Sequence, residues 1–185
     1  MRLFFDTEFT GLHKNNTLIS IGLISDDKKH TFYAELTDYD ESQCDDWIQL
    51  HVIDKLTYRY NDPFKSVFKH PDGTEDYRMK GTKQEVSDYV LEWLRKFKEV
   101  EFWGDCVAYD WLLFIDLIGM GKPMRKMPKN FVSYQAFDVF TVLKLKGYNA
   151  KDNRHIILDL DDGVGQHNAL YDADITRQLY NKIIN

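Results

Sequence analysis

The chain has 185 residues, of which 43% are hydrophobic and 15% aromatic, and its formal net charge is −6. That length supports a real core but not a catalytic domain plus a separate recognition domain, so one domain over 1–185 should carry recognition and chemistry on one surface. The composition excludes a disordered chain, and the acidic balance argues against a nonspecific nucleic-acid coat while suiting a protein that gathers carboxylates around divalent cations.

The run from Arg2 to Asp6 reads as a first strand, Thr17 to Ser25 as a second and Thr31 to Leu36 as a third, the last two joined by the charged turn at Asp26-Asp27-Lys28-Lys29. The stretch from Thr37 to Gly81 is less regular and reads as an elaboration of the sheet edge, with a short helix around Trp47 to Leu56. Thr82 is a candidate N-cap with Glu85 three positions on, and Val86, Val90, Trp93, Leu94 and Phe97 recur at helical spacing, which predicts a helix over Lys83 to Phe97. A strand follows over Val100 to Trp103. Further helices are predicted near Asp110, burying Leu113, Ile115 or Leu117, then over Phe137 to Lys146 and Asn168 to Ile184. Three hairpin-like strands followed by alternating helix and strand predict an α/β fold, a mixed β-sheet flanked by α-helices of ribonuclease-H-like architecture.

No apolar run approaches the roughly 20 residues of a membrane span, and acids stand at the start where a signal peptide keeps its apolar stretch. A cytoplasmic protein with no membrane partner is expected. Cys44 and Cys106 lie far apart with no CxxC or Cys/His array, so they indicate neither a disulfide framework nor a structural zinc site.

Asp6 and Glu8 end the first strand, where positions i and i+2 share a side, so two carboxylates converge and a divalent cation is the natural neutralising partner. His167 precedes the last helix and Asp172 lies in its first turn, so both can face one point, while Asp174 should face elsewhere. Taken singly, these also describe a solvated strand end, a loop histidine and a helix-dipole acid. Between them lies Phe102-Trp103-Gly104-Asp105-Cys106-Val107-Ala108-Tyr109-Asp110-Trp111, whose two acids spacing alone cannot choose between. Asp159-Leu160-Asp161-Asp162-Gly163 lacks EF-hand spacing.

Asp6-Thr7-Glu8-Phe9-Thr10-Gly11-Leu12 resembles the first motif of the proofreading-exonuclease superfamily, Tyr109-Asp110-Trp111 its second, and His167-x4-Asp172-Ala173 its third, histidine-containing motif, in the family's order. Trp47 with Val52, Phe102-Trp103-Gly104, the Gly119 to Asn130 loop, Phe137-Asp138, Gly147 and His167 to Ala173 further resemble the small bacterial and phage exoribonuclease family typified by a mycobacterial RNA exonuclease. The resemblance implies a metal-dependent 3′-to-5′ exoribonuclease of the DEDDh type and a homodimer. It also implies two divalent ions, Mg2+ or Mn2+: Asp6 bridging both, Glu8 and Asp172 completing one site, Asp110 holding the other largely through water, and His167 as general base.

Substrate contacts are expected from Phe9, Thr10, Leu12, Tyr109 and Trp111, with Phe9 and Leu12 beside the terminal base. Phe9 reads equally as plain core packing. Lys122, Arg125, Lys126 and Lys129, in a loop that also holds Pro123 and Pro128, offer a phosphate track or simply a solvated loop. The preference for RNA over DNA rests on the family resemblance, since no motif reports on a 2′-OH contact. A proofreading or phage-type DNA exonuclease and a catalytically inactive nucleic-acid-binding module are the alternatives; the second would lack a carboxylate, and all five positions are filled.

Overall fold

Arg2–Phe9 forms β1, Leu18–Ser25 forms β2 and His30–Leu36 forms β3, an antiparallel meander in this computed structural model. The structure describes residues 1–120, 127–149, 152–161 and 165–184. Every residue of β2 is buried, because it lies between β1 and β3 with both faces covered; hence its near-continuous apolar run.

The irregular stretch holds more structure than the sequence predicts. Phe64–Lys69 forms β4 and Glu75–Gly81 forms β5, an antiparallel hairpin whose second strand pairs in parallel with β3. None of the six β4 residues is buried, and only alternate β5 residues face the core, so neither carries a strong apolar signal. Ahead of them, Asp46–His51 forms α1 with Asp45 as its N-cap, and the predicted longer helix stops at Val52, beyond which Ile53–Lys55 is a 3-10 turn.

Lys83–Leu94 forms α2, closed at its start by the predicted reciprocal Thr82 and Glu85 capping box. Glu101–Gly104 forms β6, Ala108–Leu117 forms α3, and Phe137–Asp138 forms a two-residue strand β7. Phe137 and Asp138 therefore belong to the sheet and not to the helix predicted from Phe137. The helix α4, Val139–Leu145, begins behind the Asp138 side chain, which accepts from Phe140 N and Thr141 N. Arg154–Leu158 forms α5, unforeseen, and Ala169–Ile184 forms α6.

The sheet order is β4-β5-β3-β2-β1-β6-β7, with β6 and β7 parallel to β1. This is the mixed sheet with flanking helices expected of a ribonuclease-H-like fold. Strand alternation assigns the faces: Leu3 and Phe5 pack with Val90 and Trp93 of α2 and Phe114 of α3, whereas Phe4 packs with Leu143 of α4 and Ala173 and Leu179 of α6. A smaller cluster joins Ile19 to Ile48, Val52 and Ile53. Among the described residues no helix is long and apolar enough to cross a membrane. Lys122, Arg125 and Lys126 of the basic loop, and Asp162 and Gly163, lie outside the described residues.

One glycine sets the distance between α6 and the sheet. Gly22 pairs with Asp6 on one side and Tyr33 on the other, and a Cβ built on it would lie 2.3 Å from the backbone of Leu170. Helix backbone thus rests directly on strand backbone. Gly22→Ala should force the tip of α6 off the sheet and lower unfolding stability by roughly 1–3 kcal/mol. Denaturant melts check this, and an unchanged midpoint would contradict the close seat.

Candidate active site

Asp6 and Glu8 share the face of β1 that carries Phe4, the face covered by α6. The first turn of α6 brings Asp172 over the same point. Asn168 caps that turn, its Oδ1 accepting from Leu170 N and Tyr171 N at 3.2 Å each, and its carbonyl accepts from Asp172 N at 2.9 Å. Asp172 reaches back, its Oδ2 accepting from His167 N at 2.8 Å. These bonds hold His167 in a left-handed backbone conformation, φ 62°, which a side chain larger than glycine adopts at a cost. Glu8, His167 and Asp172 consequently offer ligand atoms that all lie within 4.8 Å of one another.

Asp110 approaches from the opposite side of β1. Its Oδ1 accepts from Thr7 N at 3.1 Å and Thr7 Oγ1 at 2.6 Å, so the residue between the two strand acids positions the acid on α3. Asp105 is turned to α5, where Arg154 Nε and Nη2 donate to its two oxygens at 2.7 and 3.2 Å. Asp174 faces away, accepting from Arg177 and Gln178. A cavity of about 450 Å³ opens beside the acids, lined by Asp6, Asp105, Arg154, His155, His167 and Asp172.

Burial and mutual repulsion govern the charges here. Burial, then the charges of Asp110, Glu8, Asp172 and Asp105, push the Asp6 carboxyl well above the usual carboxylate range. Burial, then Asp172 and Asp110, raise Glu8 to about 8. Burial raises Asp172 to about 7 against the pull of the His167 and Asn168 amides, and raises Asp110 against its bonds from Thr7. His167 moves the other way, lowered by burial and then by His51 and Lys55.

The expected substrate contacts divide. Phe9 stacks on Tyr109, with ring centroids 5.6 Å apart, and Leu12 is 78% exposed. Thr10 is buried, bonded to Gln43 and Thr17, and Trp111 packs against Phe5, Phe102 and Phe114 while its Nε1 donates to Tyr134 O. The Thr10 side chain is thus engaged within the protein, while Trp111 is partly buried against the core. Sequence reading missed the aromatic wall beside the histidine: Trp47 stacks on His51 at 4.6 Å, and the rings of Trp47 and His51 stand edge-on to His167 at 5.1 and 6.1 Å. Trp47 and His51 at i and i+4 of a short helix were the available signal.

Residues 1–184 match the family described as the 3'-5' exoribonuclease Rv2179c-like domain. The chain belongs to that family. Among curated proteins it is similar to 3'-5' exoribonuclease Rv2179c of Mycobacterium tuberculosis strain H37Rv and to 3'-5' exoribonuclease MT2234.1 of strain CDC 1551. Identity to each is 29% over 130 residues, covering 69% of this chain and 66% of the relative, so the match spans just under two thirds of those relatives' length.

The charge pattern of this Rv2179c-like domain has a thermodynamic sign. The folded state keeps protons on Glu8 and Asp172 up to about pH 8 and 7, whereas an unfolded chain releases them near pH 4. Between those limits the native state binds more protons, so stability must fall as pH rises. Thermal melts in EDTA should therefore show a midpoint lower at pH 8 than at pH 6, with Glu8→Gln flattening the slope. A midpoint that rises over that window would show that the acids are not crowded.

The two acids of the second motif should also separate. Asp105→Asn should retain most activity because its carboxylate serves Arg154, and Asp110→Asn should lose it. The reverse order in a hydrolysis assay would exchange their roles.

Proposed function

We propose that the chain is a metal-dependent 3′-to-5′ exoribonuclease of the DEDDh type that releases nucleoside 5′-monophosphates. The observation that carries this reading is the convergence of Glu8, His167 and Asp172, with Asp6 and Asp110 beside them, all carboxylates raised in pKa and the histidine lowered. Crowded oxygen donors that repel one another fit hard divalent cations such as Mg2+ or Mn2+, because a cation removes the repulsion that burial amplifies.

Asp6, Glu8, Asp110 and Asp172 would hold two such ions. When bound, they supply charge neutralisation at the phosphate and a water of lowered pKa. His167 takes the proton from the attacking water at a ring nitrogen, for which its lowered pKa keeps the imidazole neutral at physiological pH. Asp172 fixes that ring's backbone through the bond from His167 N. The Phe9 and Tyr109 stack and the exposed Leu12 offer apolar surface to the terminal base without reading its edge.

RNA as the polymer rests on family membership and on the exoribonuclease names of the two relatives. The homodimer implied by the sequence resemblance belongs to the same proposal.

A time course on 3′- and 5′-end-labelled RNA and DNA, with Mg2+, Mn2+ or EDTA, tests polarity, polymer and metal together. RNA should shorten from its 3′ end, and EDTA should stop the reaction. Activity that survives EDTA would remove the metal; equal rates on DNA would remove the polymer preference. Asp6→Ala and Asp172→Ala should abolish hydrolysis while the metal-free fold melts no earlier than wild type, since each substitution relieves repulsion. His167→Ala should lower kcat by on the order of 10² to 10⁴. Its rate should partly recover at high pH, where hydroxide needs no base, while wild type should lose rate as the imidazole protonates at low pH. A defect confined to KM would show that His167 does not act as base.

A further inference from the structure

Tyr33 carries no motif and lies on β3, two strands from the acids, yet it stands in register with them. Asp6 pairs with Gly22, and Gly22 pairs with Tyr33, so the three form one row across the face under α6. The next row along the same face is Glu8, Ser20 and Glu35. Because residue 22 has no side chain, the tip of α6 settles into the row between an acid on one side and a tyrosine on the other.

The tyrosine holds that tip. Its hydroxyl donates to Glu35 Oε1 at 2.9 Å, which commits its proton and leaves its oxygen to accept from Asn168 Nδ2 at 3.4 Å. Asn168 Nδ2 also donates to Thr57 Oγ1 at 3.2 Å. With the amide nitrogen engaged there, Asn168 Oδ1 has to point along the chain, where it caps Leu170 and Tyr171. Glu35 is fixed in turn, because Tyr58 N donates to the same Oε1 at 2.8 Å, and its side chain is fully buried. Asn168 immediately follows His167, whose left-handed backbone has no reason to persist unless the residues on both sides are held.

We propose that Tyr33 is a positioning residue for hydrolysis: through the Asn168 side chain it fixes the backbone that immediately follows His167 and thereby the place of the His167 ring, while Asp172 keeps its own seat in the helical turn. The proposal rests on the reading of His167 as general base. Outer partners that orient an active-site side chain characteristically change activity by about 10- to 100-fold. A loss of general structure would slow every variant alike; loss of His167 placement cannot slow an enzyme that has no His167.

That distinction supplies the experiment, a double-mutant cycle on full-length protein assayed with labelled RNA and Mn2+, at a temperature where melts show each variant folded. Tyr33→Phe should lower kcat on the order of 10-fold with KM little changed. In the His167→Ala background the same substitution should change kcat by less than about 2-fold. Asn168→Ser, which keeps a capping oxygen but gives up the amide bond to Tyr33, should behave in the same way and serves if Tyr33→Phe does not fold. Equal losses in both backgrounds, a loss confined to KM, or no loss overturns the proposal alone. A His167→Ala enzyme with wild-type kcat overturns the general-base reading first, and this proposal with it.

Discussion

Repulsion among carboxylates is the constraint around which the molecule is arranged. Asp6, Glu8, Asp110 and Asp172 come from one strand and two helices and meet where burial makes each charge harder to hold. Left to themselves such groups move apart, so what opposes them must be stiffer than the repulsion. The opposition is the central strand β1, paired along both edges and packed on both faces, together with helix ends fastened by capping bonds. The site is therefore a place where the fold gives up stability to keep carboxylates crowded together.

The order of the three motifs was legible because each is local. Asp6 and Glu8 are set by strand alternation, and Asp172 by its distance from a helix start. The Thr82 and Glu85 capping box was legible for the same reason, since all its bonds lie within four residues. The β4 and β5 hairpin was not, because its residues are half exposed and its identity as sheet comes from pairing with β3. Nor could spacing separate Asp105 from Asp110: one meets Arg154, the other meets Thr7, and both partners are remote in sequence from the choice they settle. Thr10 and Trp111 sit inside motif fragments, yet Thr10 is buried and Trp111 packs partly buried against Phe5, Phe102 and Phe114, which spacing along the chain does not report.

His167 is surrounded differently from the acids. Its neighbours are the rings of Trp47 and His51 on one side and backbone bonds on the other. Partial burial and the nearby charges of His51 and Lys55 favour the neutral imidazole, whereas the acids opposite raise one another's pKa. Two opposed electrostatic preferences thus meet across the few ångströms that separate Glu8 from His167.

The close seat of α6 on Gly22 divides the site between two units of unequal cooperativity. Asp6 and Glu8 sit on β1, paired there with the fully buried β2 and tied through Thr7 to Asp110, so they are released only when a central strand of the sheet comes apart. His167 and Asp172 ride on the first turn of a helix, held by a handful of side-chain bonds, and can lift away while the sheet stays whole. Amide exchange at the tip of α6 should accordingly run far ahead of exchange in β1. Fraying of that one helical turn would part His167 and Asp172 from Asp6 and Glu8 while the sheet stays folded, so the four side chains belong to two units that open at different free energies.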